Sequence, residues 1–112
     1  INARPIDLVV VNLYPFEKMS KDSALSMDTL IEYIDIGGTS ILRAAAKNYQ
    51  SVCVLSDIND YSSFISNFNQ DEKDVNLELR CNFASKVFHL TAKYDTDIFK
   101  YFTKTNNLIL KQ

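Results

Sequence analysis

Residues 6 to 13 read Ile-Asp-Leu-Val-Val-Val-Asn-Leu, a β-branched, apolar run closed off by Pro5 and Pro15. This is the pattern of a strand buried on both faces in a parallel sheet. A parallel neighbour can be reached only by a crossover, normally helical, so this one run already selects an α/β layer architecture. Pro15 disfavours the α region for Tyr14, so the chain is expected to stay extended through Tyr14 and then leave the sheet.

The remaining segments fit that architecture. Residues 17 to 27 are polar and Ser-rich with no clear period and read as a surface loop, and Asp28 is placed to cap a short helix over 29–33. After Asp35-Ile36-Gly37-Gly38 comes a stretch of high helix propensity, Thr39 to Asn48, with apolar positions at 41, 42, 45 and 46. A second strand is predicted over 51–55. Asp57 or Asn59 then opens a helix to about Phe68, with Tyr61, Phe64, Ile65 and Phe68 on one face. The longest helical pattern follows a charged loop at 69–74. It places Leu79, Phe83, Val87, Phe88, Thr91, Tyr94, Ile98, Tyr101 and Phe102 on one face. Two strands are too few to cover four helical segments, so strands upstream of Ile1 or from a partner chain are expected.

At 112 residues the chain supports one hydrophobic core and no internal domain boundary. A hydrophobic share of 46% and a charged share of 23% exclude disorder, a collagen-like repeat and a disulfide scaffold. A formal charge of -2 leaves no concentrated basic face, so nucleic acid is not an expected partner. The longest uninterrupted apolar run, Leu8 to Val11, is far below the roughly 20 residues needed to span a bilayer. A cytoplasmic protein without a membrane partner is therefore expected, with Cys53 and Cys81 as buried, reduced thiols. A chain that opens on Ile1 reads as a piece of something longer.

Only two glycines occur, and they are adjacent, where average usage would give about eight. Backbone freedom concentrated at Gly37 and Gly38, opening a helix, lets a ligand approach the main chain and the unpaired N–H groups of the first turn. A tight turn with Asp35 favoured by the helix dipole is the plainer reading, and the two are compatible. Neither a G-x-G-x-x-G nor a P-loop is present, and Asp35 would repel a phosphate, so a neutral, proton-exchanging ligand fits better. In open parallel sheets ligands bind beyond the carboxyl ends of the strands, which is where Asn12, Leu13 and Tyr14 fall. Asn12 either satisfies loop backbone or recognises a base edge or carbonyl. Tyr14 either packs its ring with its hydroxyl on water or donates and stacks. Lys47 stabilises the end of its helix by charge alone, or acts chemically. His89 has no second His, Cys or Glu at ligand spacing, so no metal site is expected.

Three stretches together resemble one family. Ile6-Asp-Leu-Val-Val-Val-Asn-Leu-Tyr-Pro-Phe-Glu17, Ile34-Asp-Ile-Gly-Gly-Thr-Ser-Ile-Leu-Arg-Ala-Ala-Ala-Lys-Asn48 and Lys86-Val-Phe-His-Leu-Thr-Ala-Lys-Tyr-Asp95 are similar to the IMP cyclohydrolase domain of the bifunctional purine-biosynthesis enzyme. That enzyme also carries an aminoimidazole carboxamide ribonucleotide formyltransferase domain. The resemblance implies a methylglyoxal-synthase-like three-layer fold with a parallel sheet, only part of which lies in this chain, and a homodimer. The reaction it implies is ring closure of the formamido-imidazole-carboxamide ribonucleotide to IMP, the last step of de novo purine biosynthesis. Nucleotide contacts carry over to Val11, Asn12, Asp35 and Ile36; Leu13 joins them by its place at the strand end, and Gly37 and Gly38 belong to the turn where the main chain would pass close to the purine ring. Tyr14 lines the base site, Lys47 is the proton donor or acceptor, and Asp35 orients or deprotonates the amide. No cofactor is implied for ring closure, whereas the linked formyltransferase domain uses 10-formyltetrahydrofolate.

Two departures accompany the resemblance. Thr39 stands where the family often has proline, and His89 sits one position early, so no role carries over to it. The family's amino-terminal S-D-K-T, S-G-G-T and R-V-K-T-L-H-P motifs lie outside this stretch, so the chain alone is expected to bind nucleotide poorly and to be inactive. The alternative is a non-catalytic module of the same fold that senses nucleotides or dimerises.

Overall fold

The computed structural model describes residues 3–110, with side chains through residue 107. β1 (Leu8–Val10) and β2 (Cys53–Leu55) form a parallel pair in the register Leu8 to Cys53, Val9 to Val54 and Val10 to Leu55. Between them lie α1 (Phe16–Ser20), α2 (Met27–Glu32) and α3 (Gly37–Lys47). After β2 come a 3-10 turn (Ile58–Asp60), α4 (Tyr61–Asn67) and α5 (Leu77–Leu110).

β2 is buried along its whole length, with Val54 facing α3 and Cys53 and Leu55 facing α4. β1 is not the doubly buried strand its sequence predicts. Val9 packs inward, but Leu8 and Val10 are 41% and 46% exposed. Among the described residues no third strand pairs with β1. Together with Leu55, Tyr61, Phe64 and Ile65, Leu8 and Val10 line an open apolar hollow.

Three hydrophobic clusters hold the helices. Leu42, Ala45 and Ala46 of α3 meet Val54 of β2 and Ala84 and Val87 of α5. Phe83 of α5 meets Cys53, Leu55 and Val75, with Tyr61, Phe64 and Phe68 of the α4 face packed alongside. Phe16 of α1, Leu30 of α2 and Tyr94 of α5 form the third, with ring centroids of Phe16 and Tyr94 6.4 Å apart. A single helix thus contributes to all three clusters. Among the described residues no helix is long and apolar enough to cross a membrane.

Several local expectations change. The loop expected from residue 17 is helical through Ser20, because Phe16, 1% exposed, anchors α1 in the third cluster. Helix α2 starts at Met27, and its cap is Ser26, whose hydroxyl accepts from the Thr29 N–H at 3.2 Å, rather than Asp28. Ile65, Phe88 and Phe102 lie off the buried stripes assigned to them, as does Ile41 on α3. Cys53 is buried but Cys81 is exposed, on the side of α5 opposite the buried Phe83.

Burial and the nearby Asp74 charge, partly offset by Arg80, push the Cys53 thiol up to about 11, from an ordinary 9.0. Because the folded value lies above the unfolded one, this stabilisation is complete below pH 9 and is lost as pH rises through about 11. At about 1.4 kcal/mol per pH unit, denaturant titrations should show stability falling over that window, and Cys53→Ala should flatten the fall. A thiol reagent should label Cys81 in the native chain and reach Cys53 only on unfolding; rapid native labelling of both would contradict this burial.

Arg80 ties the start of α5 to the turn after α3. Its Nη1 donates to the carbonyls of Tyr49 and Gln50, and its Nε lies 3.8 Å from the Asp74 carboxylate. Removing it takes the charged donor from both carbonyls; the Gln50 carbonyl is exposed and can turn to water, while the Tyr49 carbonyl is part-buried. Arg80→Ala should cost about 1–3 kcal/mol in urea unfolding.

Candidate functional site

Parallel pairing runs one residue past β1, through the Val11 N–H to the Leu55 carbonyl at 3.0 Å, and then Asn12, Leu13 and Tyr14 turn away from the sheet. Leu13 packs against both the α3 cluster and the Phe16 cluster. Ile34, one residue before Asp35, packs into that same Phe16 cluster. Apolar burial therefore draws the two motif segments together across more than twenty residues of chain. Their aromatic rims also meet: Tyr14, 58% exposed, sits edge-on to Tyr33 with centroids 5.9 Å apart.

Asn12 is exposed and donates from Nδ2 to the Tyr61 hydroxyl at 3.1 Å, which orients its amide. Val11 is half-buried, and Ile36 is 71% exposed. Asp35 is held at three atoms. Its N–H donates to the Tyr94 hydroxyl at 2.8 Å, its carbonyl accepts from Thr39 Oγ1 at 3.3 Å, and its Oδ1 accepts from the Gly38 N–H at 2.7 Å. The Gly38 N–H is thus capped from within the chain, not left free for a ligand as the sequence suggests.

The glycine pair also works differently from expectation. Neither glycine has a positive φ, and both lie inside α3, so no unusual backbone conformation is being accommodated. Gly38 is required for space: a Cβ there would lie 2.6 Å from Asp35 Oδ2 and 2.7 Å from Oδ1. At Gly37 a Cβ would meet nothing within 4 Å. Gly37→Ala should therefore stabilise α3 by up to about 1 kcal/mol. Gly38→Ala must displace the capping carboxylate, and should fall about 1 kcal/mol below Gly37→Ala in thermal or urea unfolding. Equal stability of the two variants would show that Asp35 is not held as described.

Lys47 stands apart. Helix α3 runs unbroken from Gly37 to Lys47, so its ends are about 15 Å apart at 1.5 Å per residue. Lys47 is exposed in the last turn, where its charge favours the helix end, and lines a hollow of about 510 Å³ with Ser40, Arg43, Ala44 and Phe88. The structure packs the Tyr14 segment against Tyr33 and Ile34, which lead into Asp35, and places Lys47 at the opposite end of α3.

A second hollow, about 420 Å³, lies past the carboxyl end of β2, between Ser56, Asp57, Lys86, His89, Leu90 and Lys93. Its lysines are engaged. Lys86 Nζ is 2.6 Å from the buried Asp60 carboxylate, and Lys93 bonds Glu17 at 2.6 Å and Asp97 at 2.8 Å. Those partners hold Lys93 protonated well above the ordinary lysine range and Glu17 below the ordinary carboxylate range. His89 is exposed.

Three tyrosines without a site role in the sequence organise the site: Tyr61 and Tyr94, which read there as packing residues, and Tyr33, which reads only as a helix end. Tyr94 carried the one available signal, a hydroxyl at a buried position of an apolar stripe, which must find a partner. Burial is the main cause raising its phenol above the ordinary range, with the charges of Asp35 and Asp95 adding to it and the Asp35 N–H opposing.

Comparison with known proteins converges on one group. The family model described as AICARFT/IMPCHase bienzyme matches residues 45–112. The bifunctional purine biosynthesis protein PurH of Buchnera aphidicola subsp. Acyrthosiphon pisum (strain Tuc7) is 43% identical over 110 residues, covering 98% of this chain and 21% of that protein. PurH of Lactobacillus acidophilus (strain ATCC 700396 / NCK56 / N2 / NCFM) is 47% identical over 104 residues, covering 93% of this chain and 20% of that protein. The chain thus spans about a fifth of the length of the curated relatives it matches. The crystal structure of ForH superposes with a TM-score of 0.68 at 31% identity, over 86% of this chain and 50% of that one.

Proposed function

Because the chain belongs to the AICARFT/IMPCHase bienzyme family, we propose that it forms part of the cyclohydrolase site that closes the formamido-imidazole-carboxamide ribonucleotide to IMP. The observation that carries this reading is the fixed Asp35 carboxylate at the start of α3, two residues after Tyr33, whose ring meets Tyr14 beyond the carboxyl end of β1. The finer fold assignment is the methylglyoxal-synthase-like layer fold, and the assembly is a homodimer.

Ring closure makes one C–N bond and breaks one C–O bond. The carboxamide nitrogen attacks the formyl carbon and loses a proton while the formyl oxygen gains one; the carbinol oxygen then takes a second proton and departs as water as the formamido nitrogen gives up its proton to form the ring C=N. Asp35 suits the first step, because Oδ1 is engaged by the Gly38 N–H while Oδ2 remains to accept from an amide. Tyr14, with its exposed hydroxyl, is placed to donate toward the carbinol oxygen. Asn12, oriented by Tyr61, reads a base edge or carbonyl, and Val11, Leu13 and Ile36 line the approach. Gly37, with open space above its Cα, admits the ring close to the main chain. Lys47 cannot share an atom with Asp35 along a straight α3. It serves as proton donor or acceptor from the far end of the helix, by its long side chain or at a site completed by a second copy.

The test is titration with IMP or xanthosine monophosphate, followed by ring-closure assays, on the 112-residue chain and on the full-length polypeptide carrying it. The full-length protein is expected to bind and turn over, and the chain alone to do neither well. Nucleotide binding without turnover in the full-length protein would favour a sensing module and sink the enzymatic reading.

A further inference from the structure

We propose that Tyr94 is a positioning residue for the reaction: its hydroxyl sets the register of the Asp35 turn and thereby aims the Asp35 carboxylate. The role rests on the ring-closure reading only in what Asp35 does once aimed. The contact itself spans 59 residues of sequence and joins the middle of α5 to the entry of α3 at 2.8 Å.

Packing alone does not call for a tyrosine here. Its ring sits with Phe16, Leu30, Ile34 and Ile98, an environment that phenylalanine would fill as well. Tyr94 is 6% exposed, and a buried hydroxyl is unfavourable unless it is hydrogen-bonded. Its oxygen accepts the N–H of Asp35, the residue before Ile36, the N-cap of α3. Gly38 then holds the carboxylate of the same residue, and Thr39 its carbonyl. Asp35 is fixed at both ends of its backbone and at one carboxylate oxygen. Among the described residues Oδ2 accepts no hydrogen bond and remains the reactive face.

Two consequences separate this role from simple packing. Without the Tyr94 hydroxyl the cluster keeps its shape, but the Asp35 N–H loses its acceptor and the turn is free to shift. A displacement of about 1 Å at a reacting group can cost on the order of a hundredfold in rate, while the ground-state nucleotide contact assigned to Asn12, held by Tyr61 on a separate segment, is untouched. Turnover should therefore respond more than substrate affinity.

The experiment is Tyr94→Phe beside Asp35→Asn in the full-length polypeptide, with kcat, KM and thermal midpoint measured for each. Amide exchange at Asp35 is followed in the same full-length polypeptide by mass spectrometry. Tyr94→Phe is expected to lower kcat at least tenfold, to change KM less than threefold, and to speed exchange of the Asp35 amide. Unchanged kcat in Tyr94→Phe while Asp35→Asn is inactive overturns the positioning role and leaves ring closure standing. Full turnover in Asp35→Asn overturns the ring-closure reading and this role with it. Should Tyr94→Phe lose both fold and activity, Tyr94→His, which retains a ring and a hydrogen-bonding atom, decides: recovery of stability without recovery of kcat counts against the proposal, and recovery of both supports it.

Discussion

Leu42→Ala should lower the unfolding free energy by about 2–5 kcal/mol. Leu42 has no exposed surface and sits where α3, β2 and α5 converge, against Val54 and Val87, which are equally buried. The neighbours on its own helix are alanines, Ala45 and Ala46, whose short side chains cannot move in to fill a void. The cost should therefore lie toward the upper end, as it does when a cavity cannot collapse. A small domain with a total stability of about 5–15 kcal/mol would lose a large part of it. Urea titration followed by circular dichroism measures this directly. A loss below about 1 kcal/mol would mean that α3 does not pack on β2 and α5 as described.

Asp35→Asn in the full-length polypeptide should reduce ring-closure turnover by about 10²–10⁴-fold, the usual contribution of a positioned acid or base. Asparagine keeps the size of the side chain and an oxygen that can still accept from Gly38, so the turn should fold. It loses the charge and the ability to take a proton. Lys47→Ala should also reduce turnover, with little effect on stability because Lys47 is exposed at the helix end. The two variants differ in a useful way. If Asp35 and Lys47 belong to sites completed by different copies, mixing the two inactive proteins should restore part of the activity; if one copy carries both, it should not. Wild-type turnover in either variant would remove that residue from the mechanism.

The frame of two strands and the longer helices is legible in the sequence because it depends on local pattern. The β-branched runs mark both strands, and the spacing of Phe83, Val87, Thr91 and Tyr94 marks the inner face of α5. The shortfall of strands for the number of apolar helix faces also shows, as the open face at Leu8 and Val10. What escapes is set by contacts distant in sequence. Helix α1 carries no periodic signal in five residues and exists because Phe16 finds Tyr94 and Tyr101, with centroids 6.4 and 5.6 Å away. Ser26 and Asp28 are both good caps, and only the geometry of the preceding loop selects the serine. Cys81 looks like a small hydrophobe, but two residues before Phe83 places it on the opposite side of the helix.

The candidate site divides in the same way. Its candidate residues are named from the motifs, and the glycine pair, read there as backbone freedom for a ligand's approach, holds one open position, Gly37, and one crowded one, Gly38. The reason for the crowding is visible only in three dimensions, since Gly38 makes room for the carboxylate of its own chain's Asp35. Likewise the Tyr94 hydroxyl and the Tyr61 bond to Asn12 join segments 59 and 49 residues apart, which no local pattern announces.

Because one helix serves all three clusters, α5 acts as a shared ruler whose graduations are single residues. Removing one residue between Val87 and Tyr94 would turn everything beyond it by about 100° and draw it in by 1.5 Å. Ala84 and Val87 would stay seated on α3, while Tyr94 would swing away from Phe16 and release the Asp35 turn. A deletion of the same size at 70–73, among exposed residues, would change only a surface turn. In this molecule tolerance to length change is therefore confined to the connections, and the phase of one helix is inherited by the site at its side.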